Sequence, residues 1–179
     1  MINIQKFYNY SFIIRIILNI LLFIISKYFN ISIFMHYILL FIIDATDYKY
    51  LPNLLSNLLS NKKDIHNQLN KNDRFYYIIV DKLCDIISYV LFLNLLDLNV
   101  DKKFYNYIIL YRLIGVFLLM ITQNYKLLII IPDLFKEVIG YQLFIKNISK
   151  NISNKEYLFI IIIKVIFEYI KLKYHDKLI

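Results

Sequence analysis

Isoleucine, leucine and phenylalanine come in long blocks along this chain, with polar residues clustered between the blocks. Strands would alternate apolar and polar positions; this is instead a pattern of helical spans and loops. Six candidate spans follow, at about 11–25, 31–43, 75–96, 104–122, 127–145 and 157–170. Crossing the hydrocarbon core takes about 20 residues, so the first, second and sixth must borrow aromatic and polar flanks. The expected fold is an all-α, polytopic integral membrane protein forming one membrane domain over residues 1–179. Its one long polar segment, within 48–74, separates the second and third spans. No internal repeat or domain linker is visible. A cleavable signal peptide is not expected, because the first apolar block lacks a small-residue cleavage site and further spans follow it.

Composition agrees with this class. Of 179 residues, 60% are hydrophobic and 19% charged, where an ordinary soluble domain carries about 25% charge. The scarcity of Gly (2) and Pro (2) beside abundant Asn, Ile, Lys, Tyr and Phe is the signature of an AT-rich coding sequence. Cys84 stands alone, which excludes an internal disulfide and points to a small apolar filler. The net charge of +8 sits at span ends and loops, so anionic lipid headgroups are the expected partner and nucleic acid is not.

The basic residues also orient the chain. Lys6, Lys49, Lys62, Lys63, Lys71, Arg74, Lys126, Lys171, Lys173 and Lys177 fall on one side of the six-span arrangement. Lys27, Lys102, Lys103, Lys146, Lys150 and Lys155 fall on the other. The positive-inside rule therefore puts both termini and the 48–74 loop in the cytoplasm. Three N-x-S sequons, at Asn30, Asn147 and Asn151, fall on the opposite side, a coincidence to be expected in a chain this rich in Asn and Ser.

Four aspartates carry the candidate chemistry. Ionisable groups at membrane depth cost roughly 2.5–3.5 kcal/mol each on insertion scales, so they face a bundle interior and act there. Asp44 and Asp47 end the second span three residues apart; Asp81 and Asp85 open the third span four apart. Each pair shares a helical face, and the cytoplasmic loop joining the spans puts both near one membrane surface. Four convergent carboxylates need cations, and hard oxygen donors suit Mg²⁺, Mn²⁺ or Ca²⁺. The blander reading is that each is a solvated headgroup-level residue, with Asp81 paired to Lys82 or Arg74. Among other charges, Arg15 and Arg112 are expected to pair with carboxylates or reach headgroups, Lys164 and Glu168 to satisfy each other, His36 to be a hydrogen-bonded core residue, and Asp133 to cap a helix.

With these residues in place the chain resembles the CDP-alcohol phosphatidyltransferases. Those are six-span enzymes with the motif D-x-x-D-G-x-x-A-R, eight residues, then G-x-x-x-D-x-x-x-D, across the end of span two and the start of span three. Asp44, Asp47, Asp81 and Asp85 match the four aspartates, and the run from Arg74 to Val90 reads like the family's third span. Tyr48, Leu51, Pro52 and Tyr77 stand where the motif has Gly, Ala, Arg and Gly, and the spacing from Asp47 to Asp81 is almost twice the family's. The resemblance implies that Asp44, Asp47 and Asp81 hold two divalent cations, Mg²⁺ or Mn²⁺, on a donor pyrophosphate, and that Asp85 binds metal or acts as general base. It implies a CDP-linked lipid donor, a small alcohol acceptor and release of CMP, with a homodimer as the candidate assembly. The departures leave open a divergent enzyme, an altered donor, or an inactive relative. A non-enzymatic ion-binding or transporter-like protein is the alternative class, for which Gly115, Pro132 and Gly140 are the available helix breakers.

Overall fold

A computed structural model describes residues 4–47, 71–96, 102–124, 126–146 and 151–175. Among them every regular element is a helix. The chain divides into two compact units, Met1–Leu95 and Leu96–Ile179.

The first unit holds α1 (Ile4–Tyr28), α2 (Ile33–Asp47) and α3 (Lys71–Leu93). α1 stops where Asn30 takes a left-handed backbone (φ 50°) and the Ile31 N–H donates to the Ser26 carbonyl at 3.0 Å. That is the Schellman pattern, with Asn in the place glycine most often takes. Ser32 then starts α2, its hydroxyl accepting from the Met35 N–H at 3.3 Å, as an N-cap side chain does. The short link makes α1 and α2 antiparallel, so the end of α2 returns to the first half of α1. α3 runs parallel to α1: Tyr76 bonds Asn9, Asp81 bonds Arg15 and Ser88 bonds Asn19, rising together along both helices.

α1 is inverted relative to a helix made for water. Its buried positions are Ser11, Arg15, Asn19, Leu22 and Ser26, at helical spacing. Its open face carries Ile13, Ile17 and Ile24, each about half exposed (50%, 49% and 51%). Polar groups point inward and aliphatic ones outward. At 25 residues, α1 is about 37 Å long at 1.5 Å per residue, more than the roughly 30 Å hydrocarbon core.

The second unit holds α4 (Lys102–Thr122), α5 (Leu127–Ile130), α6 (Phe135–Tyr141), a π-helical turn (Gln142–Lys146) and α7 (Asn154–His175). α4 buries Tyr105, Ile108, Ile109, Arg112, Gly115, Val116 and Leu119 along one stripe and exposes Tyr107, Phe117 and Ile121 on the other side. α7 opens with a capping box: the Ser153 N–H donates to Glu156 Oε2 at 2.7 Å and the Glu156 N–H to Ser153 Oγ at 3.4 Å.

α1 and α4 are long and apolar enough to cross a membrane. α2 is apolar but shorter, and α3 and α7 are long enough but carry several charges. The expected fifth span, 127–145, is not one helix. It breaks at Ile131–Leu134, where Pro132 has no N–H to give the preceding turn. The Ile131 carbonyl left open there accepts from Arg112 Nη1 at 3.2 Å, and Asp133 Oδ1 accepts the Phe135 N–H at 3.3 Å to start α6.

Candidate metal centre

The register of the first unit brings three of the four motif aspartates to one level. Asp44 comes from the last turn of α2, and Asp81 and Asp85 lie one turn apart on α3. One carboxylate oxygen from each lies within 4.8 Å of the others. Metal–oxygen distances of about 2.0–2.6 Å let one divalent ion bridge donors at such separations. These three side chains are a group able to hold a metal ion. Side-chain exposure falls from 27% at Asp44 to 16% at Asp81 and 3% at Asp85, so the group opens to the outside at Asp44 and closes at Asp85. Asp47 is the last residue of α2, and its side chain lies outside the described residues, as do Tyr48, Lys49, Leu51 and Pro52.

A guanidinium sits among the carboxylates. Arg15, with a side chain only 2% exposed, bridges Asp44 Oδ1 through Nη2 at 2.5 Å, Asp81 Oδ1 through Nη1 at 2.8 Å and Asp85 Oδ1 through Nη2 at 3.2 Å. Lys82 Nζ lies 2.5 Å from Asp81 Oδ2 and 3.5 Å from Asp85 Oδ2. A guanidinium stays charged at any physiological pH. With all five side chains ionised, their formal charges sum to −1, so the cluster retains an attraction for cations.

Below this layer polar groups continue among buried Leu22, Leu40, Tyr89 and Phe92. Asn19 Nδ2 donates to Ser88 Oγ at 3.3 Å, and the Ser88 hydroxyl also donates to the Cys84 carbonyl at 2.7 Å. Further along, the Ser26 hydroxyl and His36 Nδ1 share a hydrogen bond of 2.6 Å, and the His36 ring packs 5.6 Å from that of Phe92. His36 is thus a bonded core residue, as its sequence position suggested. Cys84 is buried, and its thiol donates to the Phe12 carbonyl at 3.9 Å. Tyr77, at the second motif glycine position, is buried on α3.

In the second unit the described ion pairs are local. Arg112 Nη2 lies 3.9 Å from Asp133 Oδ2, and Lys164 Nζ lies 2.5 Å from Glu137 Oε1 and 3.3 Å from Glu168 Oε1. The Lys164–Glu168 pairing and the capping role of Asp133 match the sequence reading; Glu137 is an added partner.

Sequence reasoning had Arg15 only as a charge in need of a partner, and it passed over Asn19 and Ser88. The signal was present. Ser11, Arg15 and Asn19 recur every four residues in an otherwise apolar block, which marks one helical face. Comparison of the chain with protein-family models, with curated proteins and with solved structures finds no match.

Proposed function

We propose that this chain is a six-span membrane enzyme of the CDP-alcohol phosphatidyltransferase type, with its termini and carboxylate cluster at the cytoplasmic face. The observation that carries this reading is the meeting of Asp44, Asp81 and Asp85. They come from two segments separated by a long polar stretch, and they meet against α1, which buries Ser11, Arg15 and Asn19 and exposes aliphatic side chains. Such a helix suits lipid surroundings, where charged groups turn inward. The spacing within each aspartate pair, three residues from Asp44 to Asp47 and four from Asp81 to Asp85, is that of the family motif, and Mg²⁺ or Mn²⁺ fits the all-oxygen donor set.

In this reading Asp44, Asp47 and Asp81 would hold divalent cations, which would supply charge stabilisation for the phosphoryl oxygens and the leaving group. Asp85 takes the proton of the acceptor hydroxyl. The hydroxyl oxygen forms the new bond to phosphorus, the pyrophosphate P–O bond breaks, and CMP leaves with the bonding electrons. Asp85 suits the base role by position, being the deepest of the three carboxylates, out of bulk water. It must first loosen its contacts with Arg15 and Lys82, since a base has to reach the hydroxyl it deprotonates.

A second reading, an inactive or purely ion-binding relative, is favoured by Arg15. Its guanidinium already bridges the three carboxylates, and Tyr77 fills a position where the motif allows close backbone approach. The two readings separate in one assay. Purified protein in lipid, given CDP-diacylglycerol, Mg²⁺ and a panel of acceptors (inositol, serine, glycerol phosphate), releases CMP under the first reading and none under the second.

A further inference from the structure

A divalent cation and the Arg15 guanidinium draw on the same three carboxylates. Arg15 bonds Oδ1 of Asp44, Asp81 and Asp85, and each of those side chains contributes to the candidate donor set. An ion bound by these oxygens would stand about 2–2.6 Å from each, inside the volume where the guanidinium nitrogens lie at 2.5–3.2 Å from the same atoms. Both cannot be there.

We propose that Arg15 is a resident counter-cation of the carboxylate cluster, and that a divalent metal binds by displacing it rather than by joining it. The inference rests on the metal-site reading above and adds its regulation. Without metal, Arg15 holds the end of α2 to α1 and α3 and keeps the carboxylates from repelling one another. With metal, the guanidinium is released and available to a phosphate oxygen of a bound donor, for which its planar fork is suited. Metal affinity is therefore set by competition with a tethered internal ligand.

The test is Mn²⁺ binding to the purified full chain in lipid nanodiscs, read by electron paramagnetic resonance of the free ion. Arg15→Gln removes the competing charge, and its Mn²⁺ Kd is expected to fall at least about tenfold, as the loss of a positive charge within a few ångströms demands. Arg15→Lys keeps a cation at the site, and its Kd stays within about threefold of the parent. An Arg15→Gln protein that binds Mn²⁺ no more tightly than the parent overturns the exchange and leaves the metal site standing. Failure of both proteins to bind Mn²⁺ at millimolar concentration overturns the metal site itself. Should Arg15→Gln fail to fold, the parent protein answers alone through phenylglyoxal labelling followed by peptide mass spectrometry. Saturating Mg²⁺ is expected to raise modification of Arg15 severalfold and leave Arg112 unchanged; unaltered labelling of Arg15 overturns the exchange.

Discussion

Replacing Arg15 by Met removes a charge and leaves the shape of the stem nearly intact. The parent side chain is 2% exposed and bonds three carboxylates at 2.5, 2.8 and 3.2 Å. Deleting one partner of a buried charge pair costs about 3–5 kcal/mol, because the other charge is left without compensation. Two features hold the expected loss near the lower end. Asp44 keeps access to water at 27% side-chain exposure, and Lys82 continues to hold Asp81 and Asp85. The predicted loss is therefore about 3 kcal/mol, within the range for removing one member of a buried ion pair. It is measured by unfolding in mixed detergent micelles, followed by circular dichroism. Adding Asp85→Asn to Arg15→Met should return about 1–2 kcal/mol, because it removes one stranded charge from a coupled group. Millimolar Mg²⁺ should stabilise Arg15→Met more than the parent, since a ligand binding only the folded state raises its stability. A loss under about 1 kcal/mol, against the 3–5 kcal/mol of a buried pair, would show that the carboxylates do not depend on Arg15, and the cluster as described would be refuted.

Gly115→Ala should destabilise the second unit by about 1–2 kcal/mol in the same unfolding assay. The added Cβ meets Ile131 Cγ2 at 2.5 Å and its Cβ at 3.1 Å, a clash with the branched stem that puts the overpacking cost at the upper end, about 2–3 kcal/mol, against a helix-propensity gain of about 1 kcal/mol; an unchanged or raised stability would contradict the close approach of α4 to Ile131. Ser153→Ala removes the cap of α7 and should cost about 1 kcal/mol, with Ser153→Asp close to neutral, both read from the helical signal on heating. Ser26→Ala leaves the buried His36 ring without its 2.6 Å partner and should cost about 1–3 kcal/mol, the penalty for stranding a buried polar group. Single cysteines placed at either terminus of a Cys84→Ala protein should both react with an impermeant maleimide from the cytoplasmic side of oriented vesicles; reaction from opposite sides would defeat the six-span topology.

Helix positions and the carboxylate grouping were legible because each depends on near neighbours in the chain. Asp81 and Asp85, four residues apart, had to share a face of any helix containing them. Asp44 joined them because the end of α2 and the first half of α3 both pack at the level of Arg15 on α1. Hydropathy placed five of the six apolar blocks on single helices but did not mark the helix ends. α1 begins at Ile4, not near residue 11, because Gln5, Lys6 and Asn9 are compatible with a helix even where they are unwelcome in hydrocarbon. The break at Ile131–Leu134 was missed for a related reason. Ile129, Ile130 and Ile131 keep the block apolar through the point where Pro132 interrupts its hydrogen bonds, and an average over side chains is blind to a missing N–H. Arg15 needed tertiary information. Its partners lie 29, 66 and 70 residues away in sequence, and only the parallel register of α1 and α3 makes them neighbours.

The account turns on whether the carboxylates work on a CDP-linked donor. Its most direct test is metal-dependent CMP release from CDP-diacylglycerol by the purified chain in lipid, with inositol, serine and glycerol phosphate as acceptors, for the parent and for Asp85→Asn. Asp85→Asn keeps the side-chain shape, removes the proposed base and should remain folded. The account predicts CMP release by the parent with at least one acceptor, its loss on chelation, its return with Mg²⁺ or Mn²⁺, and a fall of at least about a hundredfold in the variant, the lower range for losing a general base. CMP release at the variant's background for every acceptor, together with no CDP binding at millimolar concentration, would contradict it and leave the Arg15-filled cluster as a structural device.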